Sequence, residues 1–198
     1  MKTRIYHDWE FVEDGRTVVP LSVALKADNG DELYRIFRDE VVVGRALADP
    51  WLRHHVVRHL PVRVASDVWN WDVSHPDYPK VRTRAQIEQD VRFFVAKHGT
   101  GGLNGVELWG DYVAYDHVCM AQLFGRMMDL PLGFPMFTKD LRQEIDRLGL
   151  STQPDLLPRQ DSATEHSALC DVRHEKQLGD FLLNYESNQA DYPQDYGR

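Results

Sequence analysis

Asp8 and Glu10 form the one Asp-x-Glu among the 31 acidic residues of this 198-residue chain. They sit in Ile5-Tyr6-His7-Asp8-Trp9-Glu10-Phe11-Val12, a run that reads as a β-strand. Strands alternate their side chains, so both carboxylates point the same way, about 6.6 Å apart along the backbone. That spacing lets them converge on one divalent cation. Their apolar and aromatic neighbours place the strand inside a sheet, where acidic groups are costly without a compensating charge. Two readings stay open on this strand alone. One is a Mg²⁺ or Mn²⁺ site, and the other is a strand with one solvated face.

Further along, Asp116 falls at a strand-to-helix junction, and on its own it reads as a first-turn residue favoured by the helix dipole. Asp171 lies inside the last predicted helix among Ala168, Leu169 and Val172, a packed setting in which a carboxylate needs a partner. His166 precedes it by five residues, at the helix entrance, where it can lean over a site that Asp171 enters. Trp9 and Phe11 alternate with the two carboxylates and are expected on the far, core face. Lys139 and Arg142 read as a solvated helix face. His7, His54, His55, His59 and His117 show no paired spacing that demands a metal.

These side chains need a scaffold. Asp14-Gly15 is a hairpin turn dipeptide between Ile5–Val12 and a returning strand over Val18–Leu25. A second turn at 28–31 leads to a third strand over Leu33–Phe37, completing an antiparallel meander. Asp49-Pro50 reads as a cap and first helical residue of a short helix to about His59. Residues 60–82 read as a long irregular connection. Thr83-Arg84-Ala85-Gln86 is a capping box, opening a helix with Ala85, Ile87, Val91, Phe94 and Val95 as its buried stripe.

Gly99 to Gly105 should end that helix. Val106–Trp109 reads as a strand, followed by a helix over about 114–127. Phe134–Phe137 is a candidate strand, and Thr138 is the expected cap of a helix to about Leu148. Ser162 with Glu165 is expected to open the last helix, ending near Leu183, with residues 184–198 a loosely held tail. The fold class is therefore α/β, a mixed sheet covered by helices on both faces.

A net charge of −8 argues against a surface that coats nucleic acid, though not against an enzyme that grips a few nucleotides through bound cations. No apolar run reaches the ~20 residues of a membrane span, and a cytoplasmic location is expected. Cys119 and Cys170 lack metal-site spacing.

Taken in order, the Asp-x-Glu strand, Tyr115-Asp116 at a helix start and His166-x₄-Asp171 resemble the DEDDh exonucleases. That superfamily has a ribonuclease H-like fold and includes RNase T and oligoribonuclease. Within it the chain is most similar to the RNase AS group, 3′-to-5′ exoribonucleases specific for polyadenylate. Phe11 to Gly15, Glu107 to Trp109, Ala114 to Val118, Phe137 to Gln143 and His166 to Val172 all carry the likeness, in register from about residue 5 to 180. The 60–82 connection and the loop before His166 are longer than in that group, and Asp111 is an extra carboxylate. These departures bear on base preference more than on chemistry.

The resemblance implies an exonuclease domain over residues 1–183 that acts on the 3′ end of single-stranded RNA. It implies two Mg²⁺ ions, replaceable by Mn²⁺, with Asp8, Glu10 and Asp171 on the first and Asp8 and Asp116 on the second. It further implies His166 as general base, Trp9 and Phe11 beside the terminal base, and a homodimer. Two alternatives accompany it: an exonuclease for single-stranded DNA or short oligonucleotides, and an inactive nucleic-acid-binding protein of the same fold.

Overall fold

Two glycine turns build the N-terminal third. In the computed structural model, which describes residues 2–65, 68–99 and 105–190, β1 (Thr3–Glu13) and β2 (Val18–Ala27) join through Asp14-Gly15. The Asp14 carboxylate accepts the Arg16 and Thr17 N–H groups, and Gly15 takes φ +76. Gly30, at φ +92, makes the next turn into β3 (Glu32–Phe37). Both positions favour glycine because a Cβ strains the left-handed region.

Six strands form one mixed sheet in the order β6-β3-β2-β1-β7-β8, with β6 at Val81–Arg82, β7 at Val106–Gly110 and β8 at Lys139–Asp140. The meander is antiparallel, while β7 runs parallel to β1 and β8 parallel to β7. The acidic strand β1 is thus central, as its apolar neighbours require. This is the expected α/β class, and its strand order is consistent with a ribonuclease H-like arrangement.

Helices cover both faces. On one side α3 (Arg84–His98) and α4 (Ala114–Phe124) pack Ile87, Val91, Phe94, Cys119 and Met120 against Ile5, Trp9 and Leu108. On the other, α1 (Glu40–Ala48), α5 (Leu141–Arg147) and α6 (Ala168–Ala190) pack against Tyr6, Val12, Leu21 and Ala24. Strand alternation sends Tyr6, Asp8, Glu10 and Val12 toward this second side. Gly179 allows the close approach there, since a Cβ would lie 2.2 Å from the Tyr6 hydroxyl.

The structure corrects several expectations. Helix α1 has no counterpart in the pattern reading; Asp39 caps it by accepting from Val41 and Val42. The 60–82 segment is irregular only in part: β4 (Val62–Ala65) pairs antiparallel with β5 (Val68–Trp71), turns follow over 72–80, and the segment then supplies β6. Helix α2 (Pro50–His55) is capped by Asp49 as expected, and a 3₁₀ turn carries the chain on to His59. Thr83 and Gln86 do form the capping box, but Ala85 is exposed.

No strand forms over Phe134–Phe137. The strand is Lys139–Asp140, and Asp140 rather than Thr138 caps α5, because the Thr138 hydroxyl is engaged by His7 and His117. Helix α4 stops at Phe124, where Gly125 takes φ +121. Ser162 and Glu165 lie in a turn, so α6 opens at Ala168; it then runs past Leu183 to Ala190. Of the expected tail, residues 191–198 fall outside the described residues, as does most of the 99–105 connection. Among the described residues no helix is long and apolar enough to cross a membrane.

Candidate active site

Asp8 and Glu10 leave β1 on the face that α6 covers, and α6 brings Asp171 to them in its first turn. Each of the three offers a carboxylate oxygen within 4.8 Å of the other two. One Asp8 oxygen, Oδ2, is buried without a hydrogen-bond partner among the described residues. β1 and β2 slip register between Glu10 and Phe11, where the extra residue of the bulge is Leu21 on β2.

Burial first, and then the neighbouring carboxylates, raise the Asp8 pKa well above the usual range. Glu10 is raised well above its ordinary value for the same reasons, burial leading and Asp171 next. Burial also pushes Asp171 up to about 6, although the Gln160 side-chain amide, which donates to its Oδ1, opposes the shift. Converging hard oxygens, one of them orphaned, suit Mg²⁺ or Mn²⁺ better than soft metals.

Asp116 arrives from the other face. A Cβ on Gly110 would meet Val113 Cγ2 at 2.7 Å, so only glycine lets β7 turn this tightly. Tyr112 follows at φ 51, and α4 starts at Ala114. Asp116 Oδ1 then accepts the Trp9 N–H at 2.8 Å, which ties α4 to the acidic strand. Burial pushes its pKa up to about 7. Asp116 stands outside the tight trio, yet it lines the same cavity of about 470 Å³ as Asp8, Glu10, Asp171 and His166.

These raised values have a stability consequence in the metal-free protein. A carboxyl at about 6 or 7 when folded, against an ordinary 3.8, holds its proton in the native state after the unfolded chain has lost it. Stability therefore falls as pH rises from about 4 through 7. These two carboxyls alone are expected to cost the metal-free protein on the order of 4 kcal/mol between pH 5 and 8, or about 10 °C in Tm. Calorimetric melts across that range check it. Adding Mn²⁺ at pH 8 should recover most of the loss.

His166 sits in the turn before α6 with φ 65, a strained backbone for a residue with a Cβ. Its ring meets Trp51 edge-on at 4.8 Å between centroids and His55 at 5.6 Å, while Trp51 stacks on His55. Burial and the neighbouring His55 hold its pKa below the ordinary 6.5, so the imidazole is neutral at physiological pH. Arg58 of the 3₁₀ turn donates to the Ala163 carbonyl and pins the loop that carries it.

Trp9 and Phe11 part company. The Trp9 ring is 2% exposed in the core and donates to His7 Nδ1, so it cannot stack on a ligand; only its backbone borders the site. Phe11 is half-buried, packs edge-on to Tyr115 and walls the cavity. Arg142 and Lys139 are engaged in ion pairs with Asp111 and Glu107.

Three residues of the site escaped the pattern reading. Trp51 needs the packing of α2 to be seen there, and Gln160 comes from an irregular loop. Glu175 follows Asp171 by one helical turn, a spacing that could have found it.

The sheet and its carboxylate cluster define an α/β protein in which three acidic side chains could share one cation at the rim of a cavity of about 470 Å³. No family model matches the chain. It is 35% identical over 187 residues, 94% of its own length and 96% of theirs, to two Mycobacterium tuberculosis proteins, 3′-5′ exoribonuclease Rv2179c of strain H37Rv and 3′-5′ exoribonuclease MT2234.1 of strain CDC 1551. The chain belongs to this family of 3′-5′ exoribonucleases.

Proposed function

We propose that the protein removes nucleotides one at a time from the 3′ end of single-stranded RNA, releasing nucleoside 5′-monophosphates. The observation that most directly supports this is the meeting of Asp8, Glu10 and Asp171 beside His166 in one cavity walled by Phe11 and Trp51. Asp8, Glu10 and Asp171 would hold a first ion, and Asp8 with Asp116 a second. Two Mg²⁺ or Mn²⁺ ions supply Lewis-acid stabilisation of the phosphate and of the leaving oxygen.

The chain's own residues do the rest. A neutral imidazole nitrogen of His166 accepts the proton of the attacking water. Trp51 holds that ring edge-on and limits its rotation. Phe11 and Trp51 offer aromatic faces to the terminal base, where stacking contributes about 1–3 kcal/mol per base with little sequence preference. The preference for adenine belongs to the same reading through the resemblance to the RNase AS group. We read the assembly as a homodimer joined through the hairpin β4–β5, where Val64 and Val68 are exposed beside Trp69. Light scattering should give twice the 23.0 kDa chain mass.

End-labelled poly(A), poly(U) and single-stranded DNA, each incubated with Mg²⁺ and with EDTA, test the activity. A ladder shortening from the 3′ end of RNA, with metal only, is expected, and fastest on poly(A). Faster shortening of DNA would move the assignment to a DNA exonuclease. Binding without shortening would make the protein an inactive binder.

A further inference from the structure

Glu175 is a buried acid that four carboxylates on two ions leave without a role. It lies four residues beyond Asp171 on α6, so the helix puts both on one face. It is only 3% exposed. Its Oε1 accepts the Asp111 N–H at 2.8 Å, and its Oε2 is buried with no hydrogen-bond partner among the described residues. Glu175 also lines a second cavity, of about 390 Å³, together with Asp8, Asp171 and His166.

Holding one backbone N–H needs one neutral oxygen, which a glutamine supplies without the cost of burying a charge. The second, unpartnered oxygen beside Asp8 and Asp171 needs a different account. Glu175 is not among the residues whose oxygens gather within 4.8 Å, so it does not complete the inner ligand ring. Mg²⁺ gives up its waters reluctantly and usually keeps several, which leaves donors pointing outward from any ion in this site.

We propose that Glu175 is a positioning residue of the ion centre. Its Oε1 fixes the turn at Asp111 that delivers α4 and Asp116, and its Oε2 accepts a hydrogen bond from the hydration shell of the ion. This rests on the reading of Asp8, Glu10 and Asp171 as an ion site. Partners of this outer kind typically change metal affinity by about 10–100-fold.

The test is Mn²⁺ binding itself, measured by calorimetry and by the loss of the free-ion EPR signal. Wild type, Glu175→Gln, Glu175→Met and Asp8→Asn are compared. Glu175→Gln keeps the shape and the Oε1 contact but cannot accept at the second position. It is expected to weaken Mn²⁺ binding about 10–100-fold, with metal-free Tm at or above wild type, and excess Mn²⁺ should restore its turnover. Glu175→Met, which removes both acceptors, should bind at least as weakly. Wild-type affinity in both Glu175 variants, with binding lost in Asp8→Asn, would make Glu175 a purely structural acid and overturn the proposal. Wild-type affinity in Asp8→Asn would instead overturn the ion centre on which the proposal rests.

Discussion

Asp8→Asn is expected to reduce RNA hydrolysis by at least ~10²–10³-fold, the loss typical when one electrostatic stabiliser of a transition state is removed. Asp171→Ala should act alike, because both side chains belong to the same trio. Neither change should unfold the protein. Asp8 is buried against other carboxylates, and replacing it by a neutral isostere relieves both desolvation and repulsion. The metal-free Asp8→Asn protein should therefore melt higher than wild type at pH 8, while gaining much less from added Mn²⁺. Turnover, melting temperature and metal titration on one preparation check all three outcomes together. Near-normal turnover at saturating Mg²⁺ would sink the carboxylate centre as the seat of catalysis.

His166→Ala is expected to cost about 10²–10⁴-fold in turnover, the usual contribution of a general base. Mn²⁺ affinity should hardly change, because His166 touches Trp51 and His55 and is not one of the clustered ligands. The wild-type rate should fall as pH drops through the imidazole pKa, which burial holds below the ordinary 6.5. That acid limb should be missing from the variant. A variant that loses Mn²⁺ as severely as Asp171→Ala would make His166 a ligand and refute its role as base.

The carboxylates were readable from the chain because each obeys a local rule. Period-two alternation puts Asp8 and Glu10 on one face, and a helical context makes Asp171 conspicuous among apolar neighbours. Gly15, Gly30 and Thr83 announced their turns and cap through chemistry confined to a few residues. What stayed hidden depends on contacts distant in sequence. Thr138 looks like a cap, yet its hydroxyl bonds His7, 131 positions away. Ser162-Glu165 matches a capping box, yet the chain there makes a turn that places His166 at φ 65, and α6 opens only at Ala168. Strands as short as β6 and β8 carry no periodicity at all. The contrast between Trp9 and Phe11 also rests on distant contacts: both pack toward one core cluster, but only Trp9 is enclosed, with Phe37 beside it.

The order in which the chain is made acquires a meaning from the placement of α6. Asp8 and Glu10 are made well before Asp171 and lie on a hairpin of local contacts. The third member of their cluster follows more than 160 positions later, on the last helix. A nascent chain folds from its N-terminus as it is extended at about 5–20 residues per second, so the sheet can take shape while the cluster is still incomplete. A partly made polypeptide, tethered to the messenger that encodes it, lacks both Asp171 and His166. On the reading proposed above, an RNA-degrading activity that needs both is withheld until α6 has been made.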